Sequence, residues 1–226
     1  MSAAARPPAR PGAVVVGATG FVGSGTVASL GSRGWGLVAS GRSAARLGEL
    51  EGAPGVVATL DARTLGDPSS SAPDDAVAAL ARAHAVRGAV AAIGGWWVGD
   101  RLEDLDLADW EAFLASHLTA HLVAARRLVP LLPPGAAYVV LNGAASYEPM
   151  AGSGPVSVTG AALHMMVDVL RAEARPGTVR YREVVVGHAV AGDVRNLDPQ
   201  REVTLEDVAR VVRRALGDGA EPLLRC

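Results

Sequence analysis

The sequence predicts a single doubly wound α/β domain built on a parallel sheet of about seven strands. Two observations indicate this fold class. Short apolar runs alternate with helical segments along almost the whole chain, and each run is continuously apolar rather than alternating apolar with polar. Strands of that kind are buried on both faces, as in a parallel sheet with helices on either side. The chain has 226 residues, half of them hydrophobic, which suits one such domain with a sizeable core.

The individual elements follow from apolar runs, helical periodicity and turn residues. Strands are predicted at residues 13–16, 35–40, 56–60, 87–93, 137–141, 179–186 and 222–225. Helices are predicted at residues 21–34, 44–51, 76–85, 109–132, 153–170 and 208–216. Ser43 can cap the second helix. Thr204 and Asp207 resemble a capping box before the last helix, with Asp in place of the usual Glu.

Composition excludes several classes of function. The net charge is −2 and no basic run stands out, so neither nucleic acid nor a membrane surface is an expected partner. The most apolar segment, residues 88–99, is shorter than the roughly 20 residues that a bilayer-spanning helix needs. The single cysteine, Cys226, excludes an intramolecular disulfide and fits a reducing cytoplasm. Residues 1–11 contain three prolines and predict a disordered tail before a domain of residues 12–226.

A glycine-rich turn joins the first predicted strand to the first helix. Gly17, Gly20 and Gly23 stand at the spacing GxxGxxG. In a dinucleotide-binding turn, the first glycine allows the tight turn and the second lets a pyrophosphate approach the backbone. The third lets the helix pack closely on the sheet. The helix N-terminus then offers free N–H groups to the phosphates. This pattern predicts a nucleotide site in a Rossmann-like fold.

The end of the second predicted strand indicates which nucleotide is bound. A strand in this position usually ends with the Asp or Glu that holds the ribose 2′-hydroxyl of NAD, and none stands here. Arg42 follows the strand instead, and its guanidinium can pair with a 2′-phosphate. We therefore expect NADP(H) rather than NAD(H). The alternative is that Arg42 is a solvated residue at the start of a surface helix.

The turn GATGFVG, residues 17–23, resembles that of the extended and atypical short-chain dehydrogenases/reductases. The resemblance extends from about residue 12 to residue 216, and Gly94 and Gly95 stand where members often have NNAGG. It implies that Asp61 contacts the adenine, and it implies a homodimer or homotetramer formed through the two longest helices. The cofactor-binding residues that it implies are Gly17, Thr19, Gly20, Phe21, Val22, Arg42, Asp61, Ala62 and Gly94.

The resemblance fails at the catalytic positions. Most members reduce a carbonyl with a Tyr that donates a proton, a Lys that lowers the pKa of that Tyr, a Ser and an Asn. Here Val156 replaces the Tyr, Gly160 replaces the Lys, and the Ser position falls near Gly143 or Ala144. The Asn position falls on His117. The sequence contains no lysine at all, so no shift of the alignment can supply one. The usual mechanism of the family is therefore excluded.

Three other side chains are candidates for the missing acid or base: His117, Tyr147 and Ser146. A histidine titrates near neutrality. Ser146 and Tyr147 follow the fifth predicted strand, and strand C-termini line the ligand crevice in open α/β sheets. Each of the three also has a purely structural interpretation. His117 and His121 lie four residues apart on one helix, but no second ligand motif accompanies them, and we expect no metal site.

The substrate side of the crevice is predicted from aromatic and histidine residues. Trp96 and Trp97 follow the fourth strand at the mouth of the crevice and indicate a flat or apolar ligand, or else they fill the core. His188 follows the sixth strand, where members of the resembled family commonly place Pro-Gly beside the nicotinamide. His84 and His164 lie in predicted helices, and we interpret both as structural.

These observations predict an atypical short-chain reductase that binds NADP(H). It would reduce a carbonyl or iminium of a small apolar or aromatic metabolite without the Tyr and Lys pair. Such a substrate needs less acid assistance when it forms a stabilised anion or is already cationic. Two alternatives stay open. One is a non-redox cyclase or isomerase that reuses the crevice. The other is a non-catalytic protein that senses NADP(H).

Overall fold

The computed structural model describes residues 9–194 and 200–226. The strands of the described residues are β1 (Pro11–Val16), β2 (Gly36–Gly41), β3 (Val56–Asp61), β4 (Ala85–Ala91), β5 (Ala137–Gly143), β6 (Arg180–Val186), β7 (Ala189–Val190), β8 (Glu202–Val203) and β9 (Leu223–Arg225). Seven of them are parallel and form one sheet in the order β3-β2-β1-β4-β5-β6-β9, which confirms the predicted fold class and strand number. The two short strands β7 and β8 pair with each other beside the sheet.

Helices cover both faces of the sheet. They are α1 (Phe21–Ser32), α2 (Ala44–Leu50), α3 (Ala72–Ala83), α4 (Leu107–Phe113), α5 (Ala120–Leu128), α6 (Gly154–Glu173) and α7 (Leu205–Leu216). Helices α1 and α7 bury apolar side chains against one face, and α3, α5 and α6 do so against the other. Successive residues of a strand point to opposite faces, so Val14 and Val15 of β1 enter different cores. Continuous apolar strands are the consequence.

The two predicted caps are confirmed. Ser43 Oγ accepts a hydrogen bond from the Arg46 N–H at 3.4 Å, where α2 begins. At α7, Thr204 Oγ1 accepts from the Asp207 N–H at 3.0 Å, and the Asp207 carboxylate accepts from the Thr204 N–H at 3.3 Å. Each cap satisfies N–H groups that have no partner inside the helix.

The structure corrects some predicted boundaries. The helix expected at 76–85 begins at Ala72, because Pro73 suits the first turn of a helix and the acidic residues Asp74 and Asp75 favour its positive end. It ends before Ala85, where β4 already begins. The helix expected at 109–132 is interrupted by a π-helical segment, Leu114–Thr119, between α4 and α5.

The predicted N-terminal tail, 1–11, is too long at its C-terminal end. Pro11 belongs to β1, where it pairs with Ala85 of β4, and the Arg10 carbonyl accepts a hydrogen bond from the Ala85 N–H at 2.8 Å. Residues 1–8 of that tail lie outside the described part of the chain. Among the described helices, none combines the length and the apolar character needed to cross a bilayer.

Candidate functional site

The crevice lies at the C-terminal ends of β1 and β4. Strands β2 and β3 lie on one side of β1, and β4 with the later strands lies on the other, so the chain reverses its direction of winding between β1 and β4. In open parallel sheets, ligands bind where the order of the strands reverses in this way. The glycine turn after β1 and the segment after β4 meet at this point.

The glycine turn is built as the sequence predicts. Gly17 has a φ of +82°, and a Cβ there would lie 2.0 Å from the Ala92 carbonyl oxygen beyond β4. Gly23 faces the turn from the first turn of α1, and a Cβ there would lie 2.0 Å from the Gly17 carbonyl oxygen. Neither contact is with a flexible side chain, so both positions require glycine. Helix α1 consequently begins directly against the end of the sheet.

The N-terminus of α1 is open toward the crevice. Gly20 is its N-cap residue, no side chain caps the helix, and its first turn contains no acidic residue. Gly20 is exposed, and a Cβ at that position would approach only the Gly17 carbonyl, at 3.2 Å. The free N–H groups and the positive end of the helix dipole make this a suitable place for a phosphate.

Two arginines follow β2 close to this turn. The Arg46 guanidinium donates a hydrogen bond to the Thr19 carbonyl at 3.1 Å and so holds the turn against α2. Arg42 is exposed, and within residues 9–194 and 200–226 it has neither an ion-pair partner nor a hydrogen-bond partner. Thr19 also packs against β2, since a Cβ on Gly41 would lie 2.5 Å from its methyl group. Sequence reasoning found Arg42 but missed Arg46.

The residues that follow β3 are partly engaged with one another. Asp61 Oδ1 accepts from the Arg63 N–H at 2.9 Å and thereby caps the 3-10 turn Ala62–Gly66. The Arg63 guanidinium also pairs with the Asp61 carboxylate at 3.1 Å. The backbone hydrogen bond from Arg63 is the main cause that lowers the pKa of Asp61. Asp61 is exposed and ionised at neutral pH, next to Ala62.

His117 lies against the two glycines that follow β4. Gly94 has a φ of +119°, and a Cβ there would lie 3.2 Å from the His117 ring. The ring Nε2 is 3.2 Å from the Gly95 carbonyl oxygen, and Nδ1 is 2.8 Å from the Ser116 hydroxyl. His117 belongs to the π-helical segment, a type of distortion that is frequent at functional sites.

Burial lowers the pKa of His117 from its usual value. The Gly95 and Phe113 carbonyls oppose this effect, and the positive charge of Arg42 adds to it. His121 is different in kind, because it is fully buried and its Nε2 is 3.1 Å from the Ile93 carbonyl oxygen. Burial lowers the pKa of His121 to about 4, so it is neutral at physiological pH.

His117 and His121 do not converge on a common point but bind carbonyls of the segment that follows β4. Within the part of the chain that the structure describes, no group of three or more His, Cys, Asp and Glu side chains is placed to hold a metal ion.

The two tryptophans differ in their surroundings. The Trp97 ring packs edge-on against Phe113 with 5.5 Å between ring centroids, and Phe113 in turn packs on His117 at 4.9 Å. The Trp97 carbonyl accepts a hydrogen bond from the Ser153 hydroxyl at 2.7 Å, which joins this loop to the start of α6. Trp96 is half-buried. Phe113, which sequence reasoning missed, is the centre of this aromatic group.

Tyr147 and Ser146 are both engaged in hydrogen bonds. Ser146 is buried, and its hydroxyl donates to the Gly143 carbonyl at 2.6 Å. The Tyr147 hydroxyl donates to the Glu183 carboxylate at 3.2 Å and lies 2.8 Å from Nδ1 of His164. Glu183 lies in β6, three residues before the end of that strand. The Tyr147 side chain is therefore directed back along the sheet, away from its C-terminal edge.

The Glu183 carboxylate organises this second group of residues. It is fully buried, and it accepts from His164 Nδ1 at 2.6 Å and from the Asn142 amide at 2.8 Å as well as from Tyr147. Burial and then the charge of Glu183 raise the pKa of Tyr147 to about 12. The Arg225 guanidinium lies 4.6 Å from the centre of the Tyr147 ring. His164 thus joins α6 to the buried carboxylate and to Tyr147.

His188 follows β6, two residues after Val186, and its side chain is exposed. The backbone in front of it is fixed, because the Gly187 N–H donates to the Cys226 carbonyl at 2.7 Å.

Comparison with solved structures shows which fold this is. The chain is similar to a short-chain dehydrogenase/reductase from Serratia marcescens, with a TM-score of 0.78 and 18% identity over 97% of this chain and 96% of that one. A 3-hydroxyacyl-CoA dehydrogenase type-2 from Mycobacterium avium gives a TM-score of 0.77 and 20% identity over 95% and 93% of the two chains. The closed form of serine dehydrogenase complexed with NADP⁺ gives 0.77 and 20% over 95% and 94%.

The chain has the short-chain dehydrogenase/reductase fold. This result confirms the fold that the resemblance implies. No family model matches the sequence. No curated protein matches it either. The likeness is therefore visible in the structure at an identity of 18–20%.

A side chain at Gly160 of α6 would meet close neighbours. At the position that the sequence resemblance assigns to that lysine, a Cβ on Gly160 would lie 3.1 Å from Ser146 Cβ and 3.2 Å from Asn142 Oδ1. The Asn142 amide also donates to the Gly160 carbonyl at 2.9 Å. Val156, at the tyrosine position, is half-buried. Ser146 and Asn142 thus fill the space beside α6.

Proposed function

We propose that this protein binds NADP(H) in the crevice between β1 and β4 and reduces a small apolar or aromatic carbonyl or iminium compound. The observation that carries the proposal is the glycine turn. Gly17 and Gly23 are fixed by backbone contacts that exclude any side chain, and they bring the uncapped end of α1 against the sheet. A bound pyrophosphate needs so close an approach of the helix N-terminus to the end of the strand.

The residues present fit such a cofactor. The turn formed by residues 17–22, including Thr19, Phe21 and Val22, would hold the pyrophosphate on the N–H groups of α1. Arg42 would pair with the 2′-phosphate, because it is exposed and free of partners among the described residues. Asp61 and Ala62 would border the adenine, and Gly94 would border the ribose on the nicotinamide side. When bound, the reduced cofactor supplies a hydride from C4 of its nicotinamide.

His117 is the side chain best suited to give the proton that a reduced carbonyl oxygen requires. It lies beside Gly94 and Gly95 in the crevice, and burial lowers its pKa, which makes the protonated ring a stronger acid than a free histidine. Tyr147 is less suitable, because its hydroxyl is engaged with Glu183 and its pKa is raised to about 12. In the family that this fold resembles, the tyrosine pKa is lowered instead. Ser146 donates its only proton to Gly143.

The substrate would be flat and apolar. Trp97 and Phe113 form an aromatic wall next to His117, and Trp96 precedes Trp97 in the chain. His188 would lie on the opposite side, after β6. Aromatic walls with few polar groups favour ligands such as aryl ketones, aldehydes or cyclic imines.

Calorimetric titration tests the cofactor assignment. We expect NADPH to bind more tightly than NADH, and we expect Arg42→Ala to remove most of that difference. A bidentate arginine–phosphate pair is worth about 1.5–3 kcal/mol, so the loss is roughly tenfold to a hundredfold in affinity. Arg82→Ala is the matched control, since Arg82 is an exposed arginine on α3. Equal losses for NADPH and NADH in Arg42→Ala would refute the 2′-phosphate assignment.

A second function is favoured by the surroundings of Tyr147. A protein without lysine, in which the Tyr147 hydroxyl is engaged with Glu183 and has a raised pKa, could bind NADP(H) as a sensor without consuming it. Binding with no oxidation of NADPH in the presence of any carbonyl or imine would support the sensor. Absence of binding at millimolar NADPH would leave the non-redox cyclase or isomerase.

We also propose a homodimer or homotetramer formed through α5 and α6. Helix α6 presents an apolar row to solvent at Val158, Met165 and Val169, which are 41%, 60% and 44% exposed. Met165 and Val169 lie seven and eleven residues after Val158, so the three side chains share one face of the helix. Leu122 of α5 is 41% exposed. Light scattering should give a dimer or larger, and Met165→Arg should dissociate it, whereas Val57→Arg at the edge of the sheet should not.

A further inference from the structure

The hydrogen bonds around His117 form a short chain with one unusual property. The Ser116 hydroxyl donates to the Ala112 carbonyl at 2.6 Å, and the same oxygen is 2.8 Å from His117 Nδ1. The other ring nitrogen, Nε2, is 3.2 Å from the Gly95 carbonyl. Three close contacts therefore join a hydroxyl and an imidazole to two carbonyl oxygens.

The hydrogens available decide which forms of the ring fit these contacts. Each contact needs one hydrogen, and the hydroxyl supplies one. A neutral imidazole supplies one more, so one of the three contacts then lacks a hydrogen. The imidazolium form supplies two, and all three contacts are satisfied at once. The neutral ring satisfies only the two contacts of its own nitrogens, and it does so when the Ser116 hydroxyl rotates away from Ala112 and donates to Nδ1.

We propose that Ser116 is a positioning residue that holds His117 ready to give a proton from Nε2, the ring nitrogen that faces Gly95. This inference rests on the proposed reduction. In the protonated ring, Nδ1–H donates to Ser116, and Ser116 donates to Ala112. The Nε2–H bond then breaks, its electron pair stays on nitrogen, and the substrate oxygen that gains charge as its carbon is reduced forms the O–H bond.

In this step Nε2–H exchanges its contact with the Gly95 carbonyl for one with the substrate oxygen, and the contact of Nδ1 with Ser116 is unchanged. After the transfer, Nδ1–H still donates to Ser116, and the new hydroxyl of the product donates to the lone pair of Nε2. Nε2 recovers a proton from solvent once the product leaves the crevice. Ser116 therefore fixes which nitrogen exchanges the proton, and its hydroxyl adapts to the neutral ring by rotation alone when the crevice holds no product.

The groups that surround the ring act on its protonation in both directions. Phe113 of α4 packs on one face of the ring at 4.9 Å between centroids, and the Phe113 carbonyl favours the protonated form. His121, one turn further along, is neutral at physiological pH and adds no charge of its own. Burial has the largest effect and lowers the pKa of His117, and the positive charge of Arg42 across the crevice adds to this effect, whereas the Gly95 carbonyl raises the pKa. The protonated ring is therefore a stronger acid toward a substrate oxygen.

Nuclear magnetic resonance of ¹⁵N-histidine-labelled protein tests the inference without a cofactor. The His117 signals are assigned with His117→Asn, and the ring nitrogens are titrated in the wild type, Ser116→Ala and Ser116→Thr. In Ser116→Ala the protonation constant of His117 should fall several-fold, because the cation loses a charge-assisted hydrogen bond. Ser116→Thr keeps the hydroxyl and should titrate as the wild type does. Ser116→Cys supplies only a weak hydrogen-bonding partner, so its protonation constant for His117 should lie between those of the Ala and Thr variants. It substitutes for Ser116→Ala if that variant does not fold.

Equal titration of His117 in Ser116→Ala and the wild type would overturn the inference. In the active protein, the rate of reduction should fall at high pH as His117 loses its proton. The pH at which it falls should be lower in Ser116→Ala than in the wild type, and Ser116→Thr should restore the wild-type value. A wild type that transfers no hydride, while the difference in titration persists, would refute the proposed function and not the interaction of Ser116 with His117.

Discussion

Glu183 gives the sharpest prediction about what holds this fold together. Its carboxylate is fully buried in β6 and accepts hydrogen bonds from His164, Asn142 and Tyr147 at 2.6, 2.8 and 3.2 Å. Glu183→Ala removes all three acceptor contacts and leaves a cavity between β6 and α6. The replacement Glu183→Gln keeps the volume but turns one acceptor into a donor, which then faces another donor.

The expected loss of stability depends on which of the three hydrogen-bond donors water can reach in the variant. A buried donor without a partner costs about 1–3 kcal/mol. The Tyr147 hydroxyl and the His164 ring are partly exposed and can bind water, whereas the Asn142 amide nitrogen keeps only its hydrogen bond to the Gly160 carbonyl. We therefore expect Glu183→Ala to lower the free energy of unfolding by about 3 kcal/mol, near the lower end of the range for breaking a buried pair. Glu183→Gln should cost about half as much.

Urea denaturation followed by circular dichroism measures these differences, with Glu148→Gln in the exposed loop as the control. For a chain of this size the Ala variant should also lose about 6–12 °C in Tm. Alkaline titration of tyrosine absorbance gives a second readout. The pKa of Tyr147, raised to about 12 by burial and by Glu183, should fall toward its normal value in Glu183→Gln. A stability of Glu183→Ala within 0.5 kcal/mol of the wild type, roughly the range of neutral surface changes, would refute the reasoning.

Two other predictions concern the glycine turn and the buried histidine. Gly23→Ala places a Cβ 2.0 Å from the Gly17 carbonyl oxygen, so it should lower the free energy of unfolding by about 1–3 kcal/mol and abolish NADPH binding. The control Gly48→Ala in α2 meets no atom within 4 Å and should stabilise the protein. Denaturation and calorimetry compare the two variants, and normal NADPH binding by Gly23→Ala would contradict the assignment of the turn. Burial lowers the pKa of His121 to about 4, so the stability that the neutral ring contributes is present above pH 6.5 and is lost as the pH falls toward 4. Denaturation at a series of pH values should show that the free energy of unfolding falls by about 3 kcal/mol over this range. This fall should be absent in His121→Leu.

The glycine turn and the strands could be predicted from the sequence because each depends on local pattern. Buried parallel strands are continuously apolar, and Gly17 and Gly23 occupy positions that only glycine can fill. The start of α3 could have been placed correctly as well, since Pro73 is a common residue of the first turn. The polar residues around Pro73 predicted a loop there instead.

The arrangement of the site depends on contacts that sequence pattern does not encode. Nothing in residues 107–128 marks the π-helical segment that carries Ser116 and His117. Glu183 lies within an apolar strand, and the only available signal was a charge at an inward-facing position. Its pairing with His164 and Tyr147 joins residues 19 and 36 positions apart, which only the folded chain brings together. The direction of the Tyr147 side chain follows from that pairing.

The most direct test of the central claim is hydride transfer from NADPH that carries deuterium at C4 of the nicotinamide. The purified protein is mixed with this cofactor and with a panel of small aromatic aldehydes, ketones and cyclic imines, and the products are analysed by mass spectrometry. We predict that one deuterium is incorporated at the reduced carbon of at least one compound, and that His117→Asn slows the transfer at least tenfold. Binding of NADPH without transfer to any compound of the panel would contradict the proposed reductase.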